Sequence, residues 1–161
     1  MYEIGQGDEY MHYLHATEYT HLSGGINSLY HEMAVKMGLS DSIMNILYVI
    51  CEKKDRCLQS EISNLTGISR QTINYAIHNL KKDGIVYLEQ GHGRNNIVCL
   101  TEKGKKISEE KILPIFEIEN KIWKEWTAEE QQQYLILTQK YRDGLQKYIN
   151  LFFDTALSLK E

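Results

Sequence analysis

Residues 58–100 read LQSEISNLTGISRQTINYAIHNLKKDGIVYLEQGHGRNNIVCL, and the pattern of this stretch decides the fold. Leu58, Ile62 and Leu65 recur at spacings of four and three, which predicts one apolar stripe on a short helix beginning near Ser60. Gly67 tolerates the left-handed backbone of a helix exit, and Ser69 is placed to accept from the first N–H groups of a second helix. That second helix is expected to bury Ile73, Ala76, Ile77 and Leu80. Gly84 closes it. Ile85–Leu88 and Ile97–Leu100 are short β-rich runs on either side of the polar, turn-rich segment 90–96. Helix, tight turn, helix and hairpin together make a winged helix-turn-helix, in which the second helix enters the major groove and the wing reaches the backbone or minor groove.

The outward face of the second helix carries Arg70, Gln71, Thr72, Asn74, Tyr75 and His78. A plain solvated helix would hold mostly Glu and Lys. Gln and Asn amides pair with adenine edges and Arg with guanine, so Gln71, Thr72, Asn74 and Tyr75 are the candidates for base contact. Ser69, Arg70, Lys81 and Lys82 are the candidates for phosphates, helped at the N-terminus by the helix dipole. Tyr75 has a second reading, packing against the first helix.

The order of parts resembles the MarR (multiple antibiotic resistance) family of transcription regulators. The resemblance rests on the helix-turn-helix from Leu58 to Leu80, the exit Lys82-Asp83-Gly84-Ile85-Val86, and a wing ending in Leu100-Thr101-Glu102-Lys103-Gly104. It implies a mainly α fold with a small β-hairpin wing, flanked by N- and C-terminal dimerisation helices. It also implies a homodimer on a pseudo-palindromic double-stranded DNA operator, and a small aromatic or phenolic effector that releases DNA. Arg94 stands seven residues before Thr101, as the family's wing arginine does, and is expected to contact the minor groove. His92 takes the place of the usual aspartate and becomes a candidate phosphate contact.

Composition agrees once charge is placed along the chain. The 161 residues are 42% hydrophobic with a net charge of −4, which suits a core plus dimerisation helices and excludes a disordered tail. Between Ser69 and Lys106, seven basic residues (Arg70, Lys81, Lys82, Arg94, Lys103, Lys105, Lys106) face three acidic ones, a local surplus of four that leaves −8 elsewhere. A basic face on the reading head is what phosphate contact requires. Cys51, Cys57 and Cys99 are odd in number and lack metal-ligand spacing, which argues against a disulfide framework; Cys51 and Cys99 fall on apolar faces and are read as core residues rather than sensors. With no signal peptide and no apolar run near ~20 residues, a cytoplasmic protein without a membrane partner is expected.

Outside the reading head, three divisions are expected: a leader and dimerisation helix over 1–36, the winged domain over 37–104, and C-terminal dimerisation helices over 105–161. Leu22, Ile26, Leu29, Met33 and Met37 form a helical seam that Gly24 and Gly25 interrupt. Ser40 caps the next helix, with Ile43, Ile46, Leu47 and Ile50 as its buried face. Cys57 and Leu58 are placed to add a third strand to the wing. Thr101 caps a helix that Pro114 is expected to bend rather than end. Thr127 and Glu130 form a capping box for the last helix, whose Tyr134, Thr138, Tyr141, Leu145, Tyr148 and Phe152 make a coiled-coil-like seam, either within the chain or against a second copy. The apolar surface exceeds what one small winged domain covers, which favours the second copy.

Other functions find less support. No nucleophile elbow, phosphate loop or metal-ligand pair occurs, so neither catalytic residues nor a cofactor are expected. His12, His15, His21 and His31 raise the alternative of a metal-responsive regulator. A winged helix serving only protein contacts is a further alternative, for which exposed Leu, Phe or Trp would be expected on the reading face instead of Gln, Asn and Arg. His31, Met33, Met37 and Met44 gather near the junction of the dimerisation region and the reading head, as an effector-pocket lining or as flexible core filler.

Overall fold

The computed structural model of the chain describes residues 8–91 and 95–158. The first seven residues of the expected leader, and the wing-tip residues His92 and Arg94, lie outside the described residues. Along the chain come α1 (Asp8–Lys36), α2 (Asp41–Glu52), β1 (Arg56–Leu58), α3 (Gln59–Thr66), α4 (Arg70–Lys82), β2 (Val86–Gln90), β3 (Asn96–Leu100), α5 (Glu102–Lys111), α6 (Leu113–Glu125) and α7 (Ala128–Ser158). The chain divides into two compact units, Met1–Pro114 and Ile115–Glu161.

In the first unit the core is where apolar faces of α2, α3, α4 and the sheet converge. Ile46, Leu47 and Ile50 of α2, Ile62 of α3, Ile73 and Leu80 of α4, and Val86 and Val98 of the strands are fully buried. Ser40 starts α2 by accepting from the Ile43 N–H at 3.3 Å. The α2 exit runs through two consecutive left-handed residues, Lys54 (φ 58) and Asp55 (φ 68). This turn sends the Asp55 carbonyl to the Leu100 N–H at 2.9 Å and so lays β1 along β3. The sheet is antiparallel in the order β1-β3-β2, with Val98 facing both Cys57 and Leu88. The third strand expected at Cys57 and Leu58 is therefore present.

Close packing pins the base of the wing to α5. The Thr101 N–H donates to the Ile85 carbonyl at 3.0 Å, and its hydroxyl donates to the Gly84 carbonyl at 2.7 Å while accepting from the Gly104 N–H at 3.0 Å. Gly104 is buried so tightly against this turn that a Cβ there would stand 2.1 Å from the Ile85 carbonyl oxygen. Two lysines add side-chain donors just beyond helix ends: Lys103 Nζ donates to the Asp83 carbonyl after α4, and Lys111 Nζ to the Met37 carbonyl after α1, each at 2.7 Å.

In the second unit the expected capping box starts α7. The Thr127 N–H donates to Glu130 Oε2 at 2.8 Å and the Glu130 N–H donates to Thr127 Oγ1 at 3.2 Å, two orphan donors satisfied reciprocally. Gln131 Nε2 adds bonds to the carbonyls of Trp123 (2.6 Å) and Trp126 (3.2 Å). The rings of Trp123, Trp126 and Tyr134 meet with centroids 5.2 to 5.9 Å apart, mostly edge to face. Along α7, Tyr134, Leu145, Tyr148 and Phe152 are between 43% and 68% exposed. Among the described residues no single helix is long and apolar enough to cross a membrane.

Three local expectations are corrected. Pro114 does not bend one long helix: α5 ends at Lys111, Ile112 turns, and Pro114 becomes the second residue of α6. In a first turn the missing N–H has no carbonyl to serve and the fixed φ suits the helix, so a fresh start costs less than a kink. The α3 stripe reduces to Ile62, because Leu58 belongs to β1 and Leu65 is 53% exposed. On α2 the buried face includes Met44 and Val49, while Ile43 is only half-buried.

Candidate nucleic-acid interface

The reading helix is set up by its ends. Gly67 takes φ 67 and lets the chain leave α3. Ser69 then caps α4, accepting from the Thr72 N–H at 3.2 Å, with the two hydroxyls 2.9 Å apart. No acidic residue stands in the first turn, so the positive end of the helix dipole is open to an anion. Burial of Ile73, Ala76, Ile77 and Leu80 fixes the rotation of the helix. That rotation leaves Ser69, Arg70, Gln71, Thr72, Asn74, Tyr75 and His78 exposed together. Tyr75 is 71% exposed and so is not part of the packing between α3 and α4. Lys81 and Lys82 are exposed in the last turn, where they also complement the negative end of the dipole.

Beside α4 lies a polar cleft of about 330 Å³, bounded by Gln59, Ser60 and Ser63 of α3, Arg70 and Asn74 of α4, and Asn95 and Asn96 at the wing. Gln59, which sequence reasoning did not single out, donates from Nε2 to Asn74 Oδ1. Its separation of 15 residues from Asn74 falls outside any helical or strand period. Arg56 Nη2 donates to Glu89 Oε2 at 3.1 Å across the sheet, which engages one of the basic groups near the wing.

The proposed effector residues occupy different environments. Met44 is 3% exposed and belongs to the core of α2. Met33 and Met37 are half-buried at the end of α1. His31 is exposed, and its Nδ1 lies 3.0 Å from both carboxylate oxygens of Asp41. Facing a carboxylate, that nitrogen must be the donor. His12, His15 and His21 are exposed on α1, and among the described residues no three His, Cys, Asp or Glu side chains are grouped to hold a metal ion.

All three cysteines have thiols pushed up from their ordinary values, chiefly by burial. Cys57 is pushed up to about 12, first by burial and then by its contact with the Glu61 carboxylate, 3.4 Å away. Thiolate, the reactive form, is therefore suppressed at all three positions.

Residues 37–94 match the sequence model of the MarR family. No curated protein matches the chain. Among solved structures, a MarR family regulator from Neisseria meningitidis is similar in fold with a TM-score of 0.75 at 15% identity, over 83% of this chain and 95% of that one. A MarR family transcriptional regulator from Streptomyces coelicolor, solved in complex with DNA, gives 0.69 at 17% identity over 90% and 94%. NadR, solved in complex with 4-hydroxyphenylacetate, gives 0.62 at 17% identity over 87% and 96%. At these identities the likeness is one of fold.

Proposed function

We propose that this chain, whose residues 37–94 match the MarR family model, is a dimeric, sequence-specific DNA-binding transcription regulator, a repressor released by a small effector. The observation that carries the reading is the exposed face of α4, where Arg70, Gln71, Asn74 and His78 surround a first turn free of acidic side chains. Amide and guanidinium groups present paired hydrogen bonds to base edges, while the capped helix start attracts phosphate. A face built for protein contact alone would instead expose Leu, Phe or Trp at its centre, whereas the one large ring here is Tyr75, set among amides and Arg70. The Streptomyces coelicolor regulator of the same fold, solved with DNA, supports this reading.

Dimerisation is proposed from the apolar side chains that the chain leaves in water. Leu22, Ile26 and Leu29 of α1, and Leu145, Tyr148 and Phe152 of α7, are each about half or more exposed. Each such side chain, already partly covered within its own chain, gains roughly 1 kcal/mol when the rest is covered, so the several contributed by each of two copies together offset the entropy of association. Two copies related by a two-fold axis would present two α4 helices to successive major grooves, which calls for a pseudo-palindromic operator. Arg94 and His92 are proposed as wing contacts, on the strength of the family resemblance. The ligand in NadR supports a phenolic effector. Such a molecule regulates only if it binds one spacing of the two α4 helices better than another. Half-buried Met33 and Met37, with His31 nearby in sequence, are its proposed lining, and Met44 supports them from the core.

Selection of bound duplexes from a random library tests the reading. An enriched sequence with two-fold repeat is expected. Absence of enrichment at low salt, where electrostatic contact is strongest, would contradict it.

A further inference from the structure

We infer that Gln59 is the residue that sets which way the Asn74 amide points, and so determines which base Asn74 selects. The inference rests on the DNA-binding reading above and goes further, naming a specificity-determining residue outside the reading helix.

A side-chain amide has an oxygen that only accepts and a nitrogen that only donates, and turning the terminal group by half a rotation exchanges them. On an exposed helix nothing fixes that choice. Asn74 is exposed on α4, and its Oδ1 accepts from the Gln59 Nε2 donor at the first residue of α3; the reverse pairing, Gln59 Oε1 accepting from Asn74 Nδ2, is the alternative that the experiment below excludes. Both side chains line the polar cleft between α3, α4 and the wing. Gln59 is half-buried there, and the rigid packing of Ile62 and Ile73 holds the two helices in place around the pair.

With its oxygen engaged, Asn74 turns its two N–H donors away from α3. A donor recognises the acceptors of the major groove, guanine N7 and O6 or thymine O4; adenine N7 also accepts but stands beside the N6 amine, which repels a second N–H, and the exocyclic amines of adenine and cytosine require an acceptor. Asn74 is therefore expected to favour guanine or thymine on the strand it faces. A Gln71 amide, with no such partner among the described hydrogen bonds, keeps both orientations.

Gln59→Glu is the decisive variant. A carboxylate accepts only, so it captures Asn74 Nδ2 and turns Oδ1 outward, and an acidic residue in the first turn of α3 favours the helix rather than unfolding it. The measurement is the relative affinity for all four bases at each operator position, for wild type, Asn74→Ala, Gln59→Glu and Gln59→Ala, with thermal unfolding of each variant alongside. Asn74→Ala locates the base pair concerned. There, Gln59→Glu is expected to move the preference from guanine or thymine to adenine or cytosine, and Gln59→Ala to flatten it by about 3- to 10-fold. Because relative affinities are compared, any uniform repulsion from the new charge cancels. Equal loss at every position, or an unchanged preference at the Asn74 base pair in Gln59→Glu, would overturn the inference while leaving DNA recognition intact. If the wild type enriches no sequence, the regulator reading falls and this inference with it.

Discussion

Replacing Gly104 with alanine places a methyl group where the chain has no room for one. The new Cβ would stand 2.1 Å from the Ile85 carbonyl oxygen and 3.1 Å from its carbon. Ordinary contact needs over 3 Å, so α5 and the Gly84–Ile85 turn must separate by about 1 Å, and neither is a flexible side chain. Forced overpacking costs about 1 to 3 kcal/mol. Separation also stretches the Thr101 N–H bond to Ile85 (3.0 Å) and the hydroxyl bond to Gly84 (2.7 Å), and losing one such bond costs about 1 kcal/mol. Against this, alanine is the better helix former by up to about 1 kcal/mol. The net expectation is a loss of about 1 to 3 kcal/mol, which lowers the unfolding temperature by roughly 5 °C for a chain of this size. Thermal unfolding followed by circular dichroism, at equal protein concentration, measures it. Lys106→Ala, on the exposed side of the same helix, is the control and should stay within about 0.5 kcal/mol of wild type. A Gly104→Ala protein that unfolds at or above the wild-type temperature would refute the close-approach reasoning.

Three further outcomes are expected. Arg70→Ala removes a phosphate contact from each chain, so the slope of log affinity against log salt for a dimer should become shallower by about 1.8, about 0.9 per phosphate, on every duplex tested; an unaltered slope would place Arg70 away from phosphate. Leu145→Glu puts a charge into the exposed apolar stripe of α7, and sedimentation should find monomers at concentrations where wild type is dimeric; a variant as dimeric as wild type would remove α7 from the interface. The Glu130 carboxyl is held below its ordinary value of 4.5, first by the Thr127 N–H and then by the Thr127 hydroxyl. Its capping contribution is thus fully present above 4.5 and fades as pH falls through the lowered value. The stability gap between wild type and Glu130→Ala should narrow in acid, and a gap that persists to the lowest accessible pH would show that ionisation plays no part.

Much of this architecture is legible in local sequence, because the features concerned act over a few residues. Ser40, Ser69, Thr101 and Thr127 all cap helices, since a hydroxyl ahead of an N-terminus meets N–H groups with no other partner. The α4 periodicity foretells its buried face residue by residue. The failures are equally physical. Leu58 and Leu65 fit a helical period, but a strand claims the first and solvent the second, and period alone does not see a chain switch elements. Pro114 is ambiguous because the same ring either kinks a helix or starts one. What the sequence hides most thoroughly are contacts between distant residues: Gln59 with Asn74, Lys111 with Met37, and the approach of Gly104 to Ile85. The amide face of α4 could be read directly, whereas the partner that orients one of its amides could not.

Two copies of this chain are expected to lay their α4 helices side by side on one DNA site. Hydroxyl-radical footprinting on the selected duplex, together with the mass of the complex in solution, measures it most directly. Two chains per duplex are expected, with two protected stretches about one helical turn apart on one face of the DNA. A single chain bound to a single protected stretch, or a complex without any protection, would contradict it.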